Sequence, residues 1–355
     1  MTSKDLLGRL CEWGAEPCVS FFTPIDRPTT EKVLATRLHN AARQAEHQLG
    51  ERWGIARADA AAMVAPLQMA ADTQLSNGHD PTLSIFCRAG QSEQAFVPLH
   101  LEDPLLTVSW RPNVLPLLVA QQADVDHVVL GLNRKHSRAL RCGAFRWEDL
   151  PVSLPSGDEL TVNHQRDMNS HGGGPGRGAI HGASGGNDHL DDAALTSYLR
   201  DVDACIRPML EQDGLPLVVT GVGYEVAAFA GVSDYHRILA EPCGSTDRLS
   251  DQELHRIGQQ AMVGFRMATT ERELERLSNN SGHGLELSDL AAVQDAANSG
   301  RVGTLFVPQR LSTTEEADAE LDSVLAVVAS TLRHGGTVTI VPSERLDTTM
   351  ALLRY

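Results

Sequence analysis

Apolar positions along the chain switch between short continuous runs and a three-to-four-residue spacing, the signatures of buried strands and of helices. Cys18-Val19-Ser20-Phe21-Phe22 predicts a buried strand ending at Thr23-Pro24. Leu34, Leu38, Ala41, Ala45 and Leu49 fall at helical spacing and predict an amphipathic helix over roughly residues 30–50. An Ala-rich stretch predicts a second helix at about 57–73, with Met63, Leu67 and Met69 as core filling. Leu83–Cys87 and Ala95–Leu99 predict paired strands across the polar turn Gly90-Gln91-Ser92-Glu93. Leu115–Gln122, opened by Pro116, predicts a short helix. These parts make an N-terminal α/β domain over residues 1–123.

The pattern then restarts. His127–Leu132 predicts a buried strand and Ser137–Cys142 an alternating one. The stretch from Phe145 to Pro155 carries two prolines and leads into a loop at 164–190, rich in glycine and histidine. Beyond it, Leu195, Leu199, Val202, Ile206 and Met209 mark one face of a helix over about 191–212, with Asp191 and Asp192 suited to its N-terminus. Leu217–Thr220 predicts another strand. Gly221-Val222-Gly223 after it lacks the third glycine of a phosphate-binding turn, so it reads as turn glycines. This unit is a middle domain, 124–247.

A third domain, 248–355, opens on a capping box, with Ser250 as cap, Glu253 reciprocating and Leu249 and Leu254 as a staple. Its helix is predicted to reach about Leu277 and to break at Asn279-Asn280-Ser281-Gly282. Ser288 is predicted to cap a helix reaching about Asn298, and Thr304–Val307 to form a strand. Leu321, Val324, Leu325, Val328 and Leu332 predict a helix ended by Gly335-Gly336, before a strand at Thr337–Val341. Strands alternating with helices throughout make the fold class α/β.

Bulk chemistry narrows the function. The 355 residues exceed one core, and 42% hydrophobic content is that of folded domains. A formal charge of −16 excludes broad coating of nucleic acid, which Lys and Arg would have to drive. RNA contact must be local, or the partner must be protein. The acidic run Glu315–Asp322 reads as the solvated first turns of a helix. The six cysteines form no Cys-x-x-Cys pair, which predicts free thiols in the cytoplasm. No apolar run reaches a membrane-spanning length, and the N-terminus carries charges where a signal peptide has an apolar core.

The order strand (127–132), strand (137–142), glycine-rich loop, long helix (191–212), strand (217–220) resembles the middle domain of archaeal and eukaryotic class-I release factors and of the rescue factor Pelota. Asn298-Ser299-Gly300-Arg301-Val302-Gly303-Thr304-Leu305-Phe306-Val307 is similar to the helix-glycine-strand passage of their C-terminal domain. Val19-Ser20-Phe21-Phe22-Thr23-Pro24 and Leu352-Leu353-Arg354-Tyr355 resemble the bacterial archaeo-eukaryotic release factor families. The resemblance covers nearly the whole chain. It implies a degenerate ribonuclease-H-like middle domain and a C-terminal domain of the ribosomal protein L7Ae group. It also implies that the ribosome, at its rRNA and tRNA site, is the partner, with no cofactor, membrane or DNA.

In release factors the middle loop carries Gly-Gly-Gln, which positions a water against the peptidyl-tRNA ester. Here Gly172-Gly173-Gly174 precede Pro175, Gly185-Gly186 precede Asn187, and Gln165 lies before the glycines. The resemblance therefore implies ribosome binding in rescue, dormancy (hibernation) or stress, with no residue assigned as catalytic. The contacting residues it implies are His171, Gly172, Gly173, Gly174, Arg177, His181, Gly185, Gly186 and Asn187.

Other chemistry is open in the loop. His164, His171, His181 and His189 are metal-ligand types, with His171 and His181 the candidates, but they lack the close spacing of ligands held on one rigid element. The expectation is no metal. Near pH 6 the same rings, with an ordinary pKa of about 6.5, would turn the loop into a cationic probe. A solvated linker, or a non-ribosomal protein-interaction scaffold with the same fold, is the alternative. A hydrolase is a weaker alternative, and a metal-dependent nuclease would have only Asp124 and Asp126 before the first middle strand.

Overall fold

A computed structural model describes residues 3–25, 31–71, 81–156, 185–280, 284–313 and 319–355. The chain forms two compact units, residues 1–125 with 266–355, and residues 126–265. No described helix is long and apolar enough to cross a membrane.

The first unit begins with α1 (Ser3–Cys11), β1 (Cys18–Pro24), α2 (Glu31–Trp53) and α3 (Arg57–Ala71). It continues with β2 (Thr82–Arg88), β3 (Gln91–Val97), β4 (Leu105–Ser109) and α4 (Leu115–Ala123). The strands form an antiparallel sheet in the order β3-β2-β1-β4. β1 is buried along its whole length because each of its faces has its own core. Val19 and Phe21 pack with Leu38, Leu49 and Leu67, whereas Cys18 and Phe22 belong to a second cluster. Burial on both faces explains why the strand reads as a continuous apolar run instead of an alternating one.

Three local expectations change here. Met63 and Leu67 are buried, but Met69 is 69% exposed, because six residues of helix turn it about 240° from Met63. The polar turn is shorter than expected. Arg88 pairs with Gln91, so only Ala89-Gly90 connect the strands, and Gly90 takes the φ of +73° that such a turn needs. α1 and β4, five to nine residues each, carried no distinct signal.

The rest of the first unit lies beyond residue 266. It holds the second half of α7 (Asp251–Asn280), β10 (Glu286–Leu287), α8 (Leu290–Asn298) and β11 (Val302–Pro308). After a short 3-10 turn come α9 (Ala319–Arg333), β12 (Thr337–Val341) and β13 (Met350–Leu353). The sheet order is β10-β13-β11-β12, with β11 and β12 parallel across α9. Asp289, not Ser288, caps α8, accepting the Ala292 N–H at 2.9 Å. An N-cap oxygen serves the N–H three residues on, and the helix starts one residue later than expected. Of the acidic run, Glu315, Glu316 and Asp318 lie outside the described residues, and the rest is more engaged than a solvated face. Glu320 pairs with Arg310 at 2.6 Å, and Asp322 accepts the Trp110 N–H at 2.9 Å.

One core joins the two sequence segments of this unit. Leu6, Leu10, Phe22, Phe86, Leu115 and Leu117 share a cluster with Val293, Leu305, Leu321, Val328 and Leu353. The edge strand β12 is closed by a side chain: the Ile340 N–H donates to Gln122 Oε1 at 2.8 Å, and Gln122 Nε2 donates to the Ile340 carbonyl at 3.0 Å. That amide imitates a neighbouring strand where an open edge would invite pairing.

The second unit holds β5 (His127–Gly131), β6 (Arg138–Cys142), β7 (Trp147–Asp149), α5 (Gly185–Asp213), β8 (Leu217–Thr220), α6 (Gly223–Val232) and β9 (Ile238–Ala240). The order is β7-β6-β5-β8-β9, with β5, β8 and β9 parallel. Val128 and Leu130 pack with Leu199, Val202, Ile206 and Phe229. On the opposite face α7 lies close to β5, and a Cβ on Gly258 would stand 2.4 Å from Val129 Cγ2. The capping box at the start of α7 is formed. The Ser250 N–H donates to Glu253 Oε2 at 2.7 Å, and the Glu253 N–H to Ser250 Oγ at 3.3 Å.

α5 starts earlier than the apolar spacing indicated, because a formed helix adds residues one hydrogen bond at a time without an apolar face. Gly221-Val222-Gly223 is a turn followed by the start of α6, an unpredicted helix. Gly221 has φ +153°, and a Cβ there would meet the Leu132 carbonyl oxygen at 3.1 Å.

His255 of α7 stacks on Trp147, ring centroids 4.8 Å apart, and its Nε2 hydrogen-bonds the Gly143 carbonyl at 2.9 Å. Burial holds its pKa below the ordinary 6.5, against that hydrogen bond. Below about pH 6.5 the unfolded ring takes a proton that the folded ring refuses, so acidification costs stability until the folded pKa is reached. Urea unfolding between pH 7.5 and 5.5 should show the midpoint falling with acid. His255→Gln, which can still donate to Gly143, should flatten part of that slope. An identical slope in both proteins would remove His255 as a cause.

Candidate functional site

In an open sheet, ligands meet the chain at the carboxyl ends of parallel strands, where neighbouring connections part in opposite directions. In the second unit that place is between β5 and β8. β5 runs into the hairpin toward β6 and β7, and β8 runs into α6 toward β9. The β5–β6 turn is Asn133-Arg134-Lys135-His136, and its three basic residues are exposed.

Asn133 builds this turn. Its Oδ1 accepts the Lys135 N–H at 2.7 Å and the His136 N–H at 3.4 Å, an Asx turn, and its Nδ2 donates to Asp247. Its main chain is fixed from below. The Asn133 N–H donates to Ser137 Oγ at 3.2 Å, and the Tyr198 hydroxyl donates to the Asn133 carbonyl at 2.9 Å. Burial pushes the Tyr198 phenol pKa up, which keeps it a donor. α5 is thereby tied to the turn.

Arg134 lies along α6. Its Nε is 3.2 Å from Glu225 Oε1, and its guanidinium lies 5.3 Å from the centre of the Tyr224 ring. Tyr224 donates to the same carboxylate oxygen at 2.8 Å. Burial and that carboxylate raise the Tyr224 pKa. Among the described residues Lys135 and His136 have no side-chain ion pair. The turn therefore offers an ordered arginine and tyrosine beside a lysine and a histidine open to an anion.

The described chain next to the Gly/His-rich segment reaches the same turn. Ser156, the last residue described before it, pairs with His136 in an isolated antiparallel bridge. After it, α5 begins at Gly185, thirteen residues before Tyr198, or about 20 Å of helix. Of the expected contact residues, His171, Gly172, Gly173, Gly174, Arg177 and His181 lie outside the described residues. Gly185, Gly186 and Asn187 stand in the first turn of α5, not in the loop. Arg134, Lys135 and His136 were missed, although three basic-type residues in a row within a chain of charge −16 were visible.

Of the two carboxylates before β5, one is engaged by arginine. Asp126, at the start of β5, is held by Arg141 at 3.2 Å and by Arg146. Among the described residues no three His, Cys, Asp or Glu side chains are grouped to hold a metal.

No curated protein matches the chain. Over most of their lengths, some solved structures align with it at low identity. S. cerevisiae Dom34, a translation termination-like factor, is 8% identical, with a TM-score of 0.40 over 100% of this chain and 92% of that one. The archaeal Pelota in a ribosome-bound model is 14% identical, at 0.42 over 100% and 94%. Archaeoglobus fulgidus Pelota is 12% identical, at 0.37 over 100% and 92%. Residues 126–301 match the family model described as bacterial archaeo-eukaryotic release factor family 3. Through that match, which takes in the five-stranded sheet, its basic turn and all of α7, the chain belongs to the bacterial archaeo-eukaryotic release factor family.

Proposed function

We propose that the protein is a ribosome-associated factor that presents the far end of its middle domain to the tRNA site, in rescue, dormancy or stress, without hydrolysing the peptidyl ester. The observation that carries this reading is the Arg134-Lys135-His136 turn beside Ser156, where the chain leaves for the Gly/His-rich segment. It gives an acidic protein a local cationic surface, the form in which such a chain can meet RNA. The middle domain (124–247) is ribonuclease-H-like in this reading and the third (248–355) L7Ae-like, docking on protein or structured RNA. The protein works in the cytoplasm, with the segment 171–189 as the probe.

Sedimentation of lysate through a sucrose gradient, with and without starvation, is the test. The protein should travel with ribosomal particles, and deletion of residues 171–189 should reduce the bound fraction. Protein that stays at the top in every condition would mean a non-ribosomal scaffold, which the −16 charge also suits. Ribosomes loaded with peptidyl-tRNA should release no peptide when the protein is added. Rapid release would show that Gly-Gly-Asn, or another group, replaces Gly-Gly-Gln.

A further inference from the structure

α3 is apolar almost all round. Ala60, Met63, Val64 and Leu67 enter the core, yet alanine also occupies outward positions, with Ala58 and Ala62 exposed. A helix facing only water normally carries charged or polar residues on that side. Ala62 and Met63 line an open groove of about 430 Å³, with Ile55 and Pro17 beside them and the Ala89-Gly90 turn opposite. Two carboxylates, Glu16 and Asp59, line the same groove. Glu16 is 61% exposed and only 3.5 Å from Arg88, a loose contact. Asp59 makes no side-chain hydrogen bond or ion pair among the described residues.

We propose that this groove docks a basic, amphipathic segment of a partner protein. An aliphatic side chain of the partner fills the apolar floor, and flanking Lys or Arg groups reach Glu16 and Asp59. Alanine at the wall lets a partner backbone come close. The charge argues against the other occupants: two carboxylates repel a phosphate polymer, and most of a second copy's surface carries the same sign. The proposal concerns the first unit and stands whether or not the protein meets the ribosome.

The test uses the full chain and a fluorescent amphipathic peptide built from Leu, Lys and Ala, with anisotropy as the readout. The companion peptides carry Glu for Lys, or Ser for Leu. The Leu/Lys peptide should bind, and Glu16→Gln with Asp59→Asn should weaken it about tenfold, the sum of two partly exposed ion pairs. Ala62→Arg, at an exposed site that tolerates a long side chain, should weaken it at least as much. Glu275→Gln with Glu344→Gln makes the same charge change outside the groove and should cost less than about twofold. Equal losses from the two charge pairs would reduce the effect to net charge and overturn the proposal. Unchanged binding in Ala62→Arg, or equal binding of the Ser-for-Leu peptide, would also overturn it. A wild-type dimer that Ala62→Arg dissociates would assign the groove to a second copy instead.

Discussion

Gly258→Ala should destabilise residues 126–265 by about 1–3 kcal/mol, the usual cost of forcing a methyl into a filled core. In an exposed helix the same change would gain about 1 kcal/mol from helix propensity. At this position the added Cβ would lie 2.4 Å from Val129 Cγ2 and 3.1 Å from His127 Nε2. Val129 cannot swing away easily, because its β-branched side chain is stiff about χ1. β5 cannot retreat either, since β6 and β8 hold it on both sides. Gly264, six residues on in the same helix, is the control, because a Cβ there would meet nothing within 4 Å. Urea unfolding followed by circular dichroism should show Gly264→Ala unchanged or more stable and Gly258→Ala less so. If both substitutions stabilise, α7 does not sit on β5.

Reversing charge at the basic turn should have the largest effect on binding. Lys135→Glu with His136→Glu replaces the open cationic groups while leaving Asn133, Ser137, Tyr198 and the Arg134–Glu225 pair in place. Ribosome affinity should fall at least about tenfold at low salt, and the dependence of log affinity on log salt should become shallower by roughly 0.7–0.9 for each phosphate no longer neutralised. Filter binding or pelleting with purified ribosomes at several salt concentrations gives both quantities. Deleting 171–189 in the same background separates the contributions. If the reversal leaves affinity and slope unchanged while the deletion abolishes binding, the turn only supports the segment and does not touch RNA.

What the sequence showed was what local physics writes into it. The Ser250–Glu253 capping box was legible because cap and partner are three residues apart. β1 and β5 were legible because burial on two faces leaves an uninterrupted apolar run. β7, β9, β10 and β13 were not, since strands of two to four residues are too short to display a period. α6 was hidden behind a Gly-Val-Gly that reads equally as a turn. The basic turn was visible as three residues and invisible as a site. Its place depends on the β5–β6 hairpin and on the bridge from His136 to Ser156, twenty positions away. The shared core was hidden for the same reason, because nothing near Phe22 announces that Val293 or Leu353 will join its cluster.

That shared core has a consequence for how the protein is born. At about 5–20 residues per second, roughly 10–35 s pass between synthesis of Ala120 and of Val293. During that interval the first sheet can cover one of its faces with α2 and α3, while the cluster around Leu10, Phe22 and Leu117 still lacks half its members. Residues 126–265 are complete before those members arrive, so the second unit has everything it needs to fold first. The nascent chain then carries a finished unit between two unfinished halves, with an apolar surface that needs a chaperone or a quick ending. A chain stalled after residue 265 would expose that surface for as long as the stall lasts.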